Sequence, residues 1–386
     1  MTWRRRFLAV ALAGLLVPAG CTPATKPEPQ PVAFDWREAT LPTPPGAVGR
    51  LALRDAAVCD GRWFVVGAVQ DQAGGTVPAA WSSADGTAWA TVRIAAKTYY
   101  GKQNVLSSVA CRGGVMAALG AKFGGAHGYP RTSSWRQTPD GVLHEVTAPF
   151  ELFGGPQAVN VVRLDAGPAG WLISGNRMSG AAAWVSRDAA VFRIVERAPG
   201  LASGAAGETW AFDGTAAADG WLMVGGVLPK GRIDRDPTGW RSADGVSWEQ
   251  VPAAGASEAY EELQRVVVDT APVAVGVRGT TFGAWRLDAG QWQPAGAFGA
   301  VRPGGMSGAR ALAVVGGRLF CVTADGVSHT LWVSDDGGVR WRPGVLPVPV
   351  PAGLDRTVVV AGREGRLLAL TDDATNGRIY LAETGK

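Results

Sequence analysis

The chain has 386 residues, of which 54 are glycine, 25 are proline and 16 are tryptophan, while charged residues make up only 18%. A hydrophobic content of 47% excludes a disordered or collagen-like chain, and the abundance of glycine, proline and tryptophan argues against a helical bundle. The formal net charge is +4, but Arg4, Arg5 and Arg6 supply three of these charges within a leader that holds no acid, so the remainder is close to neutral and lacks the basic surface that nucleic-acid binding requires.

The first twenty residues have the pattern of an export signal. Arg4, Arg5 and Arg6 form a cationic start, and residues 7–17 form an apolar run that falls short of the ~20 residues needed to span a bilayer. Small residues then precede Cys21, and this arrangement resembles the lipobox of bacterial lipoproteins, whose cysteine carries the lipid. We predict a signal peptide over residues 1–20 and a lipidated Cys21, with an ordinary signal peptide cleaved near Cys21 as the alternative. Sec export and twin-arginine export both fit the paired arginines.

Residues 21–32 are expected to form a tether. Four prolines between residues 22 and 32 favour an extended, semi-rigid chain. Such a segment would hold a globular domain, residues 33–386, off the membrane surface. We therefore expect an extracytoplasmic protein that is anchored to the bacterial cell membrane by lipid.

The rest of the chain is built from two alternating sequence units. The first unit is an apolar strand, a turn with glycine and a second apolar strand, and it recurs at a spacing of about 50 residues. Its seven copies cover residues 51–67, 105–120, 161–175, 209–225, 263–276, 309–323 and 355–371. A repeat of this length is typical of propellers, in which each copy contributes to one sheet.

The second unit is a strand with tryptophan, a short polar turn and another aromatic residue. In the first copy, Ser83, Asp85 and Gly86 lie between Trp81 and Trp89. Further copies begin at Trp135, Trp184, Trp240, Trp285 and Trp332. The unit resembles the Asp-box (BNR) repeat of the sialidase-like superfamily. Because serine and aspartate side chains accept hydrogen bonds from the backbone of a tight turn, and glycine takes the positive φ, we interpret these aspartates as structural.

The seventh unit lacks a fourth strand. The segment that contains Phe34, Asp35 and Trp36 resembles the fourth strands that begin at Trp89 and Trp248. We therefore predict an all-β fold, a seven-bladed β-propeller of four-stranded antiparallel blades, closed by pairing of the N-terminal strand with the last blade. A ring of six blades is the alternative, with residues 263–292 as an insertion.

The remaining cysteines and the histidines carry little functional signal. Cys59 and Cys111 lie at matching positions in adjacent units, near the distance limit for a disulfide, so the sequence leaves open whether they are bridged. Cys321 lies within an apolar strand and is expected to be a buried thiol. The three histidines are scattered over different units, so we predict no metal site and no cofactor.

Arginines recur where ligands of propellers usually bind, at the mouth of the central channel near the start of the inner strands. Guanidinium groups suit carboxylate or phosphate. The mouth arginines are Arg54, Arg163, Arg265, Arg310 and Arg356. Tyr260 and Glu261 occupy the same region of the fifth unit. We predict that these residues bind an anionic group; the alternative is that neighbouring acids neutralise the arginines, which then only shape the rim.

The resemblance to sialidases implies a possible enzymatic function. Those enzymes bind a substrate carboxylate with three arginines and use a Tyr/Glu nucleophile pair with an aspartic acid/base. Here Arg54 is the nearest counterpart of the first arginine, and Tyr260 beside Glu261 and Glu262 is the nearest counterpart of the pair. No other part of that site is recognisable, and sialidases have six blades.

We therefore expect a non-enzymatic binding scaffold at the cell envelope, similar to seven-bladed Asp-box propellers of the photosystem-assembly-factor type. Its partner would be an envelope protein, a peptide or a glycan, and we expect a monomer. The alternative functions are a sialidase-like glycoside hydrolase acting on an anionic glycan and a structural envelope protein with no discrete ligand. The sequence assigns no catalytic residue.

Overall fold

The computed structural model describes residues 30–385, with gaps at residues 124–129, 256–257 and 303–305. The predicted signal peptide and Cys21 lie outside the described residues. Within the described ranges, no helix is long and apolar enough to cross a membrane.

The described chain forms seven sheets, which we call blades 1 to 7 in the order of their first strands. Blade 1 consists of Arg50–Cys59, Arg62–Gln70, Thr76–Ser83 and Ala90–Thr91. Blade 2 consists of Val105–Arg112, Val115–Lys122, Arg131–Gln137 and Leu143–Val146, to which Ile94–Ala95 adds a short parallel strand. Blade 3 consists of Ala158–Gly167, Gly170–Arg177, Gly180–Ser186 and Arg193–Val195.

Blades 4 to 7 repeat the same antiparallel meander. Blade 4 consists of Gly207–Ala217, Gly220–Pro229, Asp236–Ser242 and Glu249–Pro252. Blade 5 consists of Glu261–Val268, Pro272–Arg278, Thr281–Asp288 and Gln291–Phe298. Blade 6 consists of Gly308–Val315, Arg318–Ala324, His329–Ser334 and Arg342–Gly344. Blade 7 consists of Thr357–Arg363, Arg366–Asp372, Gly377–Glu383 and, from the other end of the chain, Arg37–Ala39.

The first strands of successive blades contact one another around a closed ring, and the first strand of blade 7 contacts that of blade 1. Blade 5 is a complete four-stranded sheet, which excludes the six-bladed alternative. The prediction of seven four-stranded blades is confirmed. Two short helices, Gly101–Gln103 (3₁₀) and Phe150–Phe153 (α), lie in the connections that precede blades 2 and 3.

The N-terminal strand closes the ring as predicted. Glu38 pairs with Tyr380 in an antiparallel register, and the Trp36 indole donates a hydrogen bond of 2.8 Å to the carbonyl of Val345 in the neighbouring blade. Without this strand the third strand of blade 7 would present an unpaired edge, which is a site for unwanted association.

The turns after the third strands contain the hydrogen bonds expected from their sequence. In blade 1, Asp85 accepts the amides of Thr87 (2.8 Å) and Ala88 (2.9 Å), and the Gly86 amide donates to the Ser83 hydroxyl at φ +76°. The Trp89 indole then donates back to the Gly86 carbonyl at 2.9 Å. Blades 4 and 6 repeat this arrangement, so these aspartates build hairpins.

Tryptophans of the third strands position the connections between blades. Trp81, Trp135, Trp184 and Trp240 are fully buried, and each indole donates to the connection that precedes the first strand of its own blade. The acceptors are the carbonyls of Pro42, Leu152 and Gly200 and the side-chain oxygen of Asn104, at 2.6 to 3.2 Å. Because these connections surround one end of the ring, the aromatic core sets the shape of that end.

Cys59 and Cys111 form a disulfide with a Cα–Cα distance of 5.9 Å. The bridge answers the question that the sequence left open, and it joins the ends of the first strands of blades 1 and 2. Cys321 is a buried free thiol, as expected. Burial raises the pKa of this thiol, so it stays protonated at neutral pH.

Candidate ligand-binding mouth of the central channel

The mouth is the end of the ring at which the first strands begin, together with the loops between second and third strands. Beyond the mouth, the central channel contains a cavity of about 440 Å³ that is lined by the later parts of the first strands, such as residues 55–59 of blade 1. Most of the residues along this cavity are apolar by type. Its charged lining residues are Asp55, Arg163, Asp165, Asp213 and Arg265.

A β-bulge interrupts the first strand near the mouth in six of the seven blades. Each bulge places one residue outside the regular pairing with the second strand. The extra residues are Arg54, Ser107, Val162, Phe212, Gln264 and Arg310, and the first strand of blade 3 has a second irregularity at Val159. Bulges bend a strand and re-aim its side chains, and they often occur next to functional sites. Two of the predicted arginines, Arg54 and Arg310, are bulge residues, while Arg163 and Arg265 follow a bulge directly.

Two of the five predicted arginines are neutralised by carboxylates. Arg54 forms salt bridges with Asp372 (2.7 Å) and Asp355 (3.2 Å), and the buried Asp372 also pairs with Arg50. Arg163 lies between two acids of the channel, Asp55 at 3.3 Å and Asp213 at 3.4 Å.

The two acids on either side of Arg163 also accept hydrogen bonds from the main chain of neighbouring blades. Asp55 accepts the Val109 amide of blade 2 at 3.0 Å, and Asp213 accepts the Val266 amide of blade 5 at 3.1 Å. Buried carboxylates need such donors to offset the loss of water. Arg54 and Arg163 therefore have a structural role in the ring. The alternative interpretation of the sequence, in which neighbouring acids neutralise the arginines, holds for these two.

The other three arginines donate only to main-chain carbonyls among the described residues. Arg265 donates to the carbonyls of Arg310 (2.9 Å) and Gln264 (2.6 Å), and Arg310 donates to that of Met306. Arg356 donates to the carbonyl of Ala352 at 3.2 Å. No described carboxylate lies within salt-bridge distance of any of them, so their positive charge remains uncompensated by direct ion pairs.

Arg265 and its neighbours form a positive region. Burial lowers the pKa of Arg265 to about 10, and the nearby charges of Arg163 and Arg310 contribute in the same direction while Asp213 opposes them. Burial also lowers the pKa of Arg310. Both groups stay protonated at neutral pH, and an incoming anion would relieve the mutual repulsion of the guanidinium groups.

One channel carboxylate titrates near physiological pH. Burial raises the pKa of Asp165 to about 6, opposed by hydrogen bonds from Ala166 and neighbouring donors and assisted by the charge of Asp213. The Asp165 carboxylate accepts the amides of Ala166 at 2.7 Å and Ala216 at 3.2 Å. The charge inside the channel therefore changes between pH 5 and 7.

Tyr260 belongs to a second polar cluster at the mouth, between blades 4 and 5. Its hydroxyl donates to Glu262 at 2.6 Å, and Arg235 contacts both the Tyr260 hydroxyl (3.0 Å) and the Glu262 carboxylate (2.9 Å). The side-chain amide of Gln264 donates to the other Glu262 oxygen at 2.6 Å. Burial and the charge of Glu262 raise the pKa of Tyr260, so the phenol remains a hydrogen-bond donor at neutral pH.

Glu261 does not join this cluster. Adjacent residues of a strand point to opposite faces of the sheet, and the Glu261 carboxylate pairs with Arg278 at 3.4 Å. None of the five predicted arginines hydrogen-bonds to Tyr260 or Glu262.

The sequence did not single out Arg235, which lies in the loop between the second and third strands of blade 4. Its guanidinium lies 5.3 Å from the ring centre of Trp210 and 5.8 Å from that of Phe212. Trp210 occupies none of the positions at which tryptophan recurs in the two sequence units, and this isolated aromatic was the available signal. Within the described residues, no group of three or more histidine, cysteine, aspartate or glutamate side chains could hold a metal ion.

No protein-family model and no curated protein matches this sequence. Among solved structures, the chain is similar to a puromycin hydrolase with a TM-score of 0.52 and 14% identity, over 88% of this chain and 53% of that chain. It is also similar to the Hadza microbial sialidase Hz136 (TM-score 0.49, 13% identity, 87% of this chain and 66% of that one). The β-propeller domain of the Trilobed protease from Pyrococcus furiosus gives a TM-score of 0.48 and 10% identity over 87% of this chain and 94% of that domain. The chain spans about half the length of the puromycin hydrolase, and at such identities the similarity shows the propeller fold alone.

Proposed function

We propose that this protein is an exported lipoprotein whose propeller binds an anionic group on an envelope protein, a peptide or a glycan, without turning it over. One observation carries the proposal: Arg265, Arg310 and Arg356 lie at or near the mouth with main-chain partners, and none of them has a direct carboxylate partner in the part of the chain that the structure describes. A guanidinium group whose charge is not compensated by an acid offers paired N–H donors that suit a carboxylate or a phosphate.

Binding is tested with the purified propeller on arrays of acidic and neutral glycans and peptides, at low and at physiological salt. The expected result is retention of acidic members, weakened about tenfold in Arg265→Ala and Arg310→Ala, because hydrogen bonds to charged groups contribute strongly. The exposed Arg62→Ala serves as the control for general loss of charge. Retention that is equal in all variants, or no retention of any acidic member, would refute an anion-binding mouth.

The lipid anchor is supported by the cationic start, the short apolar run and the small residues before Cys21. Mass spectrometry of the N-terminal peptide from the membrane fraction should find a lipidated Cys21. Cys21→Ser should release the protein from that fraction. An unmodified Cys21 in a soluble, correctly exported protein would contradict this part of the proposal.

A sialidase-like glycosidase is the second candidate, and the hydrogen bond between Tyr260 and Glu262 beside Arg235 favours it. The same contacts also weigh against it, because Arg235, Tyr260 and Gln264 already occupy the Glu262 carboxylate and the phenol is held in its protonated form. A panel of fluorogenic sialosides separates the two functions. Turnover that disappears in Tyr260→Phe would establish the glycosidase, whereas binding without turnover supports the scaffold.

A further inference from the structure

A pocket separate from the channel opens on the mouth side between blades 2 and 3. It has a cavity of about 460 Å³ and shares no lining residue with the channel. Three segments build it: the connection that carries Tyr100, the start of the third strand of blade 2 with Arg131, and the short helix Phe150–Phe153. A second cavity of about 300 Å³ adjoins it and shares Arg131 and Phe153. We call the first cavity the rim pocket.

Arg131 lines the rim pocket and lies between two aromatic rings. Its guanidinium carbon is 5.7 Å from the ring centre of Tyr100 and 5.1 Å from that of Phe150. Stacking uses the faces of the guanidinium plane and leaves the N–H groups pointing outward in that plane. Among the described residues, the Arg131 side chain has no hydrogen-bond acceptor and no salt-bridge partner.

The walls of the rim pocket are held in place before any ligand arrives. Glu145 is buried and accepts the Lys97 amide (2.7 Å), the Thr98 amide (2.8 Å) and the Thr98 hydroxyl (2.6 Å), which fixes the connection that carries Tyr100. Burial opposes the ionised form of Glu145, but these hydrogen bonds outweigh it and lower the pKa of the carboxyl. Glu145 is therefore ionised, and its carboxylate oxygens already accept hydrogen bonds from residues other than Arg131.

Buried side chains of blade 3 hold the helix Phe150–Phe153 in place. Trp184 donates to the carbonyl of Leu152 at 2.6 Å, and the buried Arg177 donates to that of Gly154 at 2.9 Å. Phe150 nevertheless stays 56% exposed and Tyr100 39% exposed. Exposed aromatic rings on anchored backbone are a feature of binding surfaces, because they supply contact area at a low cost in conformational entropy.

We infer that the rim pocket binds an organic carboxylate that carries an aromatic or aliphatic group. The carboxylate would accept two hydrogen bonds from the in-plane N–H groups of Arg131, and the apolar group would pack against Phe153 and Phe150. The ionised Glu145 repels the carboxylate and so favours one orientation of the ligand. The same chemistry occurs in a small free acid and at a peptide C-terminus that ends in an apolar residue.

The first test is isothermal titration of the purified propeller with hydrocinnamate and with phenylpropanol, its neutral counterpart. The acid should bind saturably and about tenfold more tightly than the alcohol, and Arg131→Ala should remove this difference. The exposed Arg193→Ala, at the outer strand of blade 3, is the matched control and should bind like the original protein. Phe150→Ala should weaken the binding of both the acid and the alcohol, because it removes an apolar wall that both would contact.

A second set of titrations distinguishes the two sources of the carboxylate. A short peptide ending in phenylalanine is compared with its C-terminal amide: tighter binding of the acid peptide than of hydrocinnamate assigns the pocket to peptide termini, and exclusion of the peptide assigns it to small free acids. Equal affinities for hydrocinnamate and phenylpropanol, or equal affinities of Arg131→Ala and Arg193→Ala with unchanged melting temperatures, would refute the proposal. Arg265 lies outside the rim pocket, so loss of hydrocinnamate binding in Arg131→Ala but not in Arg265→Ala assigns the acid to the rim pocket, whereas loss in Arg265→Ala alone assigns it to the channel mouth and refutes the rim-pocket proposal.

Discussion

The partner of each mouth arginine decides what the arginine can do, and that partner lies far away in sequence. Arg54 pairs with Asp372 from the last blade, whereas Arg265 donates, among the described residues, only to main-chain carbonyls. The recurrence of arginine near the start of the inner strands was readable from the sequence. The division into neutralised and uncompensated residues was not, because it depends on the bulge that re-aims each side chain and on pairing across the ring.

The Asp165 carboxylate should make the protein less stable as pH rises, which is the opposite of the usual effect of an aspartate. Its pKa is about 6 in the folded protein, against about 3.9 for an unfolded aspartate, so the folded state binds this proton more tightly and stability falls as pH rises from 4 through 6. Asp165→Asn removes this effect. As pH rises from 4 to 8, the unfolding free energy of the variant should therefore increase by on the order of 2 kcal/mol relative to that of the original protein.

Urea unfolding at several pH values measures this gain. Asp219→Asn provides the control, because Asp219 is an exposed aspartate of the same ring. If the unfolding free energies of Asp165→Asn and of the original protein change in parallel between pH 4 and pH 8, Asp165 is not the group that titrates.

At the scale of the element, the repeated turn is the feature that sequence predicts best. The spacing of serine, aspartate, glycine and tryptophan fixes which atoms meet, since all partners lie within a few residues of one another. The degenerate copy in blade 5 still forms a full sheet although its Asp288 makes none of these turn contacts. The turn therefore reinforces a hairpin that the apolar strands already specify.

Asp244 should stabilise the protein above about pH 4 and lose this effect in acid. The amides of Ser247 and Val246 lower its pKa to about 2, so its contribution is complete above the unfolded value and disappears as pH falls towards 2. Asp244→Asn should cost about 1 kcal/mol at pH 7, a modest value because the turn is exposed and screened by solvent. The cost should vanish near pH 2.

Chemical denaturation at pH 7 and at the lowest pH that keeps the fold measures this change. The matched control is Asp288→Asn at the degenerate turn, where no change is expected. Equal costs for the two substitutions would show that the turn hydrogen bonds add nothing to stability.

At the scale of the whole molecule, the closure of the ring follows from counting. If all seven copies form blades, the missing fourth strand and the unassigned N-terminal strand predict one closure, and the pairing of Glu38 with Tyr380 confirms it. The rim pocket could not be found in this way. It arises where Tyr100, Arg131 and Phe150 come together from three segments with no shared pattern.

Loosening the N-terminal strand should weaken the whole ring. The Phe34 ring lies 6.0 Å from that of Phe320 in blade 6, and Trp36 donates to Val345. The double substitution Phe34→Ala and Trp36→Ala should lower the unfolding free energy by about 2–4 kcal/mol, less than for fully buried aromatics because Trp36 is only half-buried.

Limited proteolysis of this double variant should cut near residue 40 before any other site, and light scattering should detect association through the freed edge of blade 7. The substitution Val48→Ala, at a side chain that is 85% exposed, controls for simple loss of apolar surface. A variant that unfolds like the original protein and resists cleavage near residue 40 would show that the ring holds without its N-terminal strand.

The route of the chain into the ring has a mechanical consequence. Val32 exchanges main-chain hydrogen bonds with Pro343 (2.8 Å) and Val345 (2.9 Å) at the outermost strand of blade 6, and the chain then reaches the outermost strand of blade 7. Tension that arrives through the preceding residues is therefore carried first by these peripheral strands. A pull applied to the chain at Val32 would therefore load the peripheral strands of blades 6 and 7 before the inner strands that carry the arginines of the channel.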